Sequence, residues 1–309
     1  MQMVCKKMGG NSMKKLFCLL FALCLVLAGC GKEQEAIKEG KLPVVASFYA
    51  MKELTEAVGG DKVHVTTLVP EGSEPHDFQP TPRQLKQLHS AKVFVIQGLG
   101  MEPWQAEMVK AADNPNLQVV TAAKNVQAIE NEDEEEIEEH GKYDPHAWLS
   151  LLSAKAEAET IAVALSQADP VNKEYYQANA RKLGQQLDSM YVEYRAKFQT
   201  VQRKEFVTGH EAFGYLCREF GLTQQSLESM FAGGEPNAKE MARLVRYARD
   251  HHVTTIFTEA NVSPKSSEAL AREIGAKVVP IHTMESAEGK GGYAAQMREN
   301  LGRIYESVK

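Results

Sequence analysis

The stretch LPVVASFYAMKELTEAVGGDKVHVTTLV, residues 42–69, carries the pattern that decides the fold. Its Pro-Val-Val-Ala-Ser segment is a short apolar run rich in β-branched valine and reads as a buried strand. Residues 49–58 follow as a helix stopped by Gly59-Gly60, and residues 63–69 return to a partly alternating strand pattern. Strand, helix and strand in this rhythm argue for an α/β unit with parallel pairing.

The rhythm continues outward. Thr81-Pro82 supplies an N-cap and a proline at the first helical position, opening a helix through residue 88. Residues 92–97 form a β-rich run ending in Gly98-Leu99-Gly100, and 117–120 is a further short strand. From Trp148 the character changes to long helical stretches, 149–167 and then 170 to about 202. A helix of roughly thirty residues spans roughly 45 Å, more than one lobe needs, so it suits a bridge between two. Beyond it, residues 205–208, 254–258 and 277–281 read as strands, separated by helices at 212–220, 239–251 and 265–274. The expected fold is α/β with two lobes, each a mainly parallel sheet flanked by helices, joined by one long backbone helix. The limits read as 42–168 for the N-terminal lobe, 169–203 for the linking helix and 204–309 for the C-terminal lobe. No convincing sequence repeat relates the lobes.

The N-terminus speaks to compartment. Lys14-Lys15 precedes an apolar stretch over residues 16–27, then Leu27-Ala28-Gly29-Cys30 and a polar segment. That run is about a dozen residues, short of the roughly 20 that cross a bilayer, and it ends in small residues suited to cleavage. Residues 1–29 therefore read as an export signal, with 1–12 set aside because Met13 followed by two lysines reads as a natural start. Leu-Ala-Gly-Cys resembles the lipobox of bacterial lipoproteins, which makes Cys30 the lipid attachment point and residues 30–41 a tether. The expected location is the outer face of the bacterial cell membrane. With the signal removed, Cys30 and Cys217 remain, so no disulfide framework forms, and Cys217 reads as a buried helix residue.

The formal charge is −6 for the whole chain and −10 without the signal region, whose four lysines have no acidic counterpart. An acidic surface disfavours nucleic acid and attracts cations. Acidity concentrates in Glu-Asn-Glu-Asp-Glu-Glu-Glu-Ile-Glu-Glu-His140, a self-repelling run read as a mobile loop over 130–142.

Three histidines sit in or beside Gly- or Pro-marked turns: Glu-Pro-His76, Asp-Pro-His146 and Thr-Gly-His210. Imidazole is a good ligand for zinc, and the ends of strands are where α/β proteins build binding crevices. The remaining histidines divide. His64, His89, His251 and His252 read as structural, while His282 follows the last strand. Separations of 70 and 64 residues give no compact motif, so only the fold can bring the three together.

The words around them are more specific. Gly-Ser-Glu-Pro-His76-Asp-Phe-Gln-Pro-Thr-Pro, Asp-Pro-His146-Ala-Trp-Leu and Gly-His210-Glu-Ala-Phe-Gly-Tyr resemble, in order, the signatures of the metal-binding lipoproteins that serve ABC transporters for zinc or manganese. Phe-Thr-Glu259-Ala-Asn-Val-Ser-Pro-Lys and the terminal Gly-Gly-Tyr-Ala-Ala-Gln-Met-Arg-Glu-Asn-Leu are similar too, so the resemblance covers residues 42–309. It implies that His76, His146 and His210 are metal ligands. In manganese-selective relatives a carboxylate commonly replaces the third histidine, so His210 argues for Zn2+ over Mn2+, in line with nitrogen preference. The family places a carboxylate after the last strand. In some relatives it falls at Glu285 and in others three residues earlier, where this chain has His282, so Glu285 is the expected fourth ligand and His282 its rival.

Asp144 is expected either to orient a ligand from behind or to serve a plain Asp-Pro turn, and Glu259 to support a ligand, stand between the lobes or cap a helix. The acidic loop, with Glu134, Glu135, Glu136, Glu138, Glu139 and His140, reads as a weak metal collector or a plain solvated insertion. Four protein ligands close a tetrahedral zinc shell, which suits carriage and argues against an enzyme. No Gly-x-x-x-x-Gly-Lys-Ser/Thr motif is present, so ATP hydrolysis is expected from a separate ATPase beside a partner ABC permease. The implied function is a monomeric, lipid-anchored zinc receptor for an ABC importer. The alternatives are a manganese receptor, a surface adhesion lipoprotein and, last, a zinc hydrolase.

Overall fold

The computed structural model describes residues 40–131, 137, 141–230, 236–260, 263–287 and 289–309. The opening stretch folds as β1 (Leu42–Ala46), α1 (Tyr49–Gly59) and β2 (Val63–Thr67), with β1 and β2 parallel from Leu42 opposite Val63 to Ala46 opposite Thr67. Next come α2 (Pro82–Ser90), β3 (Val93–Ile96), α3 (Gln105–Ala111) and β4 (Gln118–Thr121). These strands make one parallel sheet ordered β2-β1-β3-β4. Thr81 starts α2 with a reciprocal capping box, its hydroxyl accepting from Arg83 N–H while the Gln84 carboxamide oxygen accepts from Thr81 N–H at 3.0 Å.

Two helices then run back to back. They are α4 (Leu151–Ala168), capped by the Ser150 hydroxyl, and α5 (Lys173–Thr200), entered through a 3₁₀ turn at Pro170–Asn172. In α5 the residues Tyr176, Ala180, Leu183, Leu187, Met190, Tyr194 and Phe198 are buried. That spacing of three and four holds one stripe against the core for the whole 28-residue length. The helix ends at Thr200, earlier than its composition suggests, because Val201 turns to extended backbone to enter the second sheet.

The second sheet is built from β5 (Glu205–Thr208), β6 (Thr223–Ser226), β7 (Thr255–Thr258) and β8 (Lys277–Pro280). Between and after them lie α6 (Gly214–Phe220), α7 (Ala238–Asp250), α8 (Pro264–Ile274) and α9 (Tyr293–Val308). The sheet is parallel, ordered β6-β5-β7-β8. Numbered from its own first strand, this is the order of the first sheet, so the two domains repeat a topology that their sequences conceal. Each sheet reverses winding direction between its central strands, β1 and β3 or β5 and β7, which opens a crevice at their carboxyl ends.

Three elements were not foreseen. Strand β6 reads Thr-Gln-Gln-Ser and has no apolar signature; backbone pairing with β5 makes it a strand. Helix α3 is only seven residues long. Helix α9 does carry a legible stripe, with Tyr293, Met297, Leu301, Ile304 and Val308 all buried.

One apolar cluster passes through both sheets and takes in Val44 and Val93 of the first, Phe206 and Phe257 of the second, and Trp148, Leu187, Tyr293 and Met297 between them. Smaller clusters cover the outer faces, around Phe94 and Leu88 in one domain and Ile256 and Leu244 in the other. Cys217 lies half-buried on α6 against the main cluster. Among the described residues no helix is long and apolar enough to cross a membrane. The export signal, Cys30 and the loop residues Glu134, Glu135, Glu136, Glu138, Glu139 and His140 lie outside the described residues.

Candidate metal centre

Four side chains from four distant segments meet at the carboxyl ends of the strands. His76 lies in the turn-rich loop after β2, and His146 opens the 3₁₀ turn Ala147–Leu149 ahead of α4. His210 follows β5, and Glu285 lies in the loop after β8. One donor atom from each falls within 4.8 Å of the others. Glu285 Oε1 is 3.6 Å from His76 Nε2, 3.5 Å from His146 Nε2 and 3.4 Å from His210 Nε2, and the His76 and His146 nitrogens are 3.1 Å apart. A tetrahedral ion with bonds of about 2.0–2.2 Å needs donor separations of about 3.3–3.6 Å. The three separations from Glu285 fall in that range and the His76–His146 pair is slightly closer, so the cluster approaches the dimensions of a zinc shell.

Burial and hydrogen bonding agree. The four side chains are at most 2% exposed. Both ring nitrogens of His210 and Oε1 of Glu285 have no hydrogen-bond partner. Buried polar atoms left unpaired are costly, and a cation at their centre removes that cost.

A second layer aims the donors. Asp144 Oδ1 accepts from His146 N–H at 2.9 Å and meets His146 Nδ1 at 2.9 Å, so Nδ1 is engaged and Nε2 faces the cluster. Gly214 makes room for this carboxylate, since a Cβ there would stand 2.7 Å from Asp144 Oδ2. Glu259 Oε1 accepts from Gly209 N–H at 3.1 Å and His210 N–H at 3.4 Å, which fixes the backbone of the third histidine. Thr283 donates its hydroxyl to Glu285 Oε2 at 3.0 Å and leaves Oε1 directed inward. Thr283 carried no role in the sequence reading; its signal was only its place two residues before Glu285.

His282 is not part of the cluster. Its Nε2 lies 3.0 Å from Glu299 Oε2 and 3.4 Å from Arg303 Nη1, on the side toward α9. Of the histidines read as structural, His89 Nδ1 contacts the Ala112 carbonyl at 2.9 Å and His251 stacks on Tyr247.

The placement of His146 departs from its position in the chain. By sequence it belongs with His76 in the first half, yet its segment is bonded to the second. Tyr215 donates to the Asp144 carbonyl at 2.7 Å, Tyr293 to the Trp148 carbonyl at 2.5 Å, and Trp148 Nε1 to the Thr283 carbonyl at 2.7 Å. Glu219 of α6 caps α4 by accepting from Leu151 N–H at 2.9 Å.

The electrostatics follow from this crowding. Burial pushes His76 down to about 4. Burial also opposes charge on His210, but Glu285, Glu259 and Glu74 outweigh it and raise this histidine to about 9. The Glu285 carboxyl is held well below the usual range, because His210, His146 and His76 overcome its burial. Burial opposes charge on His146 as well, but Asp144 and Glu285 outweigh it and raise this histidine too, so the site favours protonated imidazole beside the Glu285 carboxylate, and a divalent ion bound there competes with those protons.

Residues 44–307 match the family described as zinc-uptake complex component A, periplasmic. The chain is 35% identical over 307 residues to the high-affinity zinc uptake system protein ZnuA of Bacillus subtilis (strain 168), spanning 94% of this chain and 96% of that protein. A crystal structure of ZnuA superposes with a TM-score of 0.77 at 31% identity, covering 87% of this chain and 100% of the other. The laminin-binding protein Lmb of Streptococcus agalactiae, described as bifunctional with adhesin and metal transporting activity, matches with a TM-score of 0.79 at 30% identity, again over 87% and 100%. A match that runs through both sheets and all four clustered side chains places this chain in the zinc-uptake component A family, to which ZnuA belongs.

Proposed function

We propose that this protein is an extracytoplasmic receptor that captures zinc and delivers it to an ABC importer. The observation that carries the reading is the buried set His76, His146, His210 and Glu285, with each histidine Nε2 3.4–3.6 Å from Glu285 Oε1, close to the spacing of a tetrahedral shell. Three nitrogens and one oxygen favour zinc over manganese. They leave a bound divalent ion at a net charge of +1, and a closed shell of protein donors supports carriage rather than catalysis. Asp144 and Glu259 serve as its supporting carboxylates. Residues 42–168 and 204–309 form the two lobes with 169–203 between them, and the ion sits where they meet. Cys30 carries the lipid that tethers a monomer to the outer membrane face, the acidic run to His140 collects cations weakly, and a permease with a separate ATPase receives the cargo.

Calorimetry on the metal-stripped protein tests this reading. One tight zinc per chain is expected, lost in Glu285→Ala and kept in His282→Ala. A second tight site would contradict the role given to the acidic loop, and the opposite pattern in the two variants would replace Glu285 with His282. Adhesion is a second reading, favoured by the likeness to Lmb. Zinc-dependent growth that survives His76→Ala and His210→Ala would favour it.

A further inference from the structure

Two candidate donors lie three residues apart in the loop after β8, and the structure turns them opposite ways. Glu285 faces the three histidines, while His282 faces Glu299 and Arg303. We propose that Asn300 and Trp148 are positioning residues that make this choice, locking the 282–285 loop so that the fourth donor is a carboxylate oxygen and not a fourth imidazole. The proposal rests on the ligand set given above.

Asn300 is fully buried on α9 and treats His282 as a neighbouring strand would. Its Oδ1 accepts from His282 N–H at 2.9 Å and its Nδ2 donates to the His282 carbonyl at 2.6 Å. One residue further, the Thr283 carbonyl accepts from Trp148 Nε1 at 2.7 Å, a bond between positions 135 residues apart. The Thr283 hydroxyl then holds Glu285 Oε2. Between these fixed points Met284 adopts φ 57°, a left-handed conformation that a side-chain-bearing residue holds only when its surroundings require it. Its side chain and that of Ile281 are buried, so the loop cannot roll as a unit. The reversal at Met284, fixed from both sides, sends residue 282 toward α9 and residue 285 toward the metal.

The test uses the full chain loaded with cobalt(II), whose visible absorption reports donor type and geometry, together with zinc competition against a chromogenic chelator. Asn300→Ala is expected to weaken zinc binding by about tenfold to a hundredfold, the usual effect of removing a residue that orients a ligand. It is also expected to shift the cobalt spectrum, and adding His282→Ala should abolish the shifted component. Trp148→Phe keeps an aromatic ring while removing the donor, and it tests the same loop if Asn300→Ala does not fold. A wild-type spectrum and a zinc affinity within about twofold in the folded variants would overturn the proposal. Glu285→Ala separates the two levels of the argument. If it too leaves spectrum and affinity unchanged, the ligand set is wrong; if it alone impairs them, the ligand set stands and the positioning role falls.

Discussion

At the scale of single residues the site is governed by which buried atoms lack partners. His210 has neither ring nitrogen hydrogen-bonded, and the carboxylates around it raise it to about 9. Zinc binding must expel that proton, and the sign follows directly. Below pH 9 the metal-free protein keeps the His210 proton that the loaded one lacks, and toward acid pH the raised His146 adds to it, so affinity rises with pH, by about tenfold per unit or more, and levels off above 9. Competition titrations at pH 6, 7 and 8 check this. A flat profile would mean that His210 is neutral before the metal arrives. His146 is held differently, since Asp144 already occupies its Nδ1. That pairing could be expected from Asp-Pro-His in the sequence, because the two residues are adjacent but one. Only the family resemblance put Glu285 ahead of His282 in the sequence, because both stand in the same loop and both are chemically able to bind zinc.

At the scale of elements, the supports come from helices remote in sequence. Helix α6 begins at Gly214, where the missing side chain leaves space for the Asp144 carboxylate. Gly214→Ala places a methyl 2.7 Å from Asp144 Oδ2 in the present geometry. Asp144 must shift, and His146 with it. Zinc affinity is expected to fall by about tenfold or more, with the α6 helix content preserved because alanine is a better helix former than glycine. Unaltered zinc competition in a folded Gly214→Ala protein would show that Asp144 has room to adjust. Sequence signals performed well for these elements wherever the pattern was local. The N-cap at Thr81 and the strand at Glu205–Thr208 were both legible. Strand β6 was not, since a polar edge strand owes its conformation to its partner.

At the scale of the whole molecule, the four donors come from segments separated by as much as 209 positions, the distance from His76 to Glu285. A metal that binds only the folded arrangement stabilises it by mass action, about 4 kcal/mol when free zinc is a thousandfold above Kd. The melting temperature is therefore expected to rise with zinc in the wild-type chain and to stay constant in Glu285→Ala. An equal rise in both would place the stabilising ion elsewhere. The repeated sheet order puts two strand-end crevices into one protein, with a single apolar cluster running through both sheets. Amphipathic period, turn residues and the words around each histidine were enough to establish an α/β chain, its long helix and three of the four clustered residues, with Glu285 favoured for the fourth by resemblance, because each of those signals is carried by neighbours in sequence. The choice of Glu285, the attachment of the His146 segment to the C-terminal half and the pairing of β6 arise from hydrogen bonds between positions tens to more than a hundred residues apart, and such contacts exist only once the chain has closed on itself.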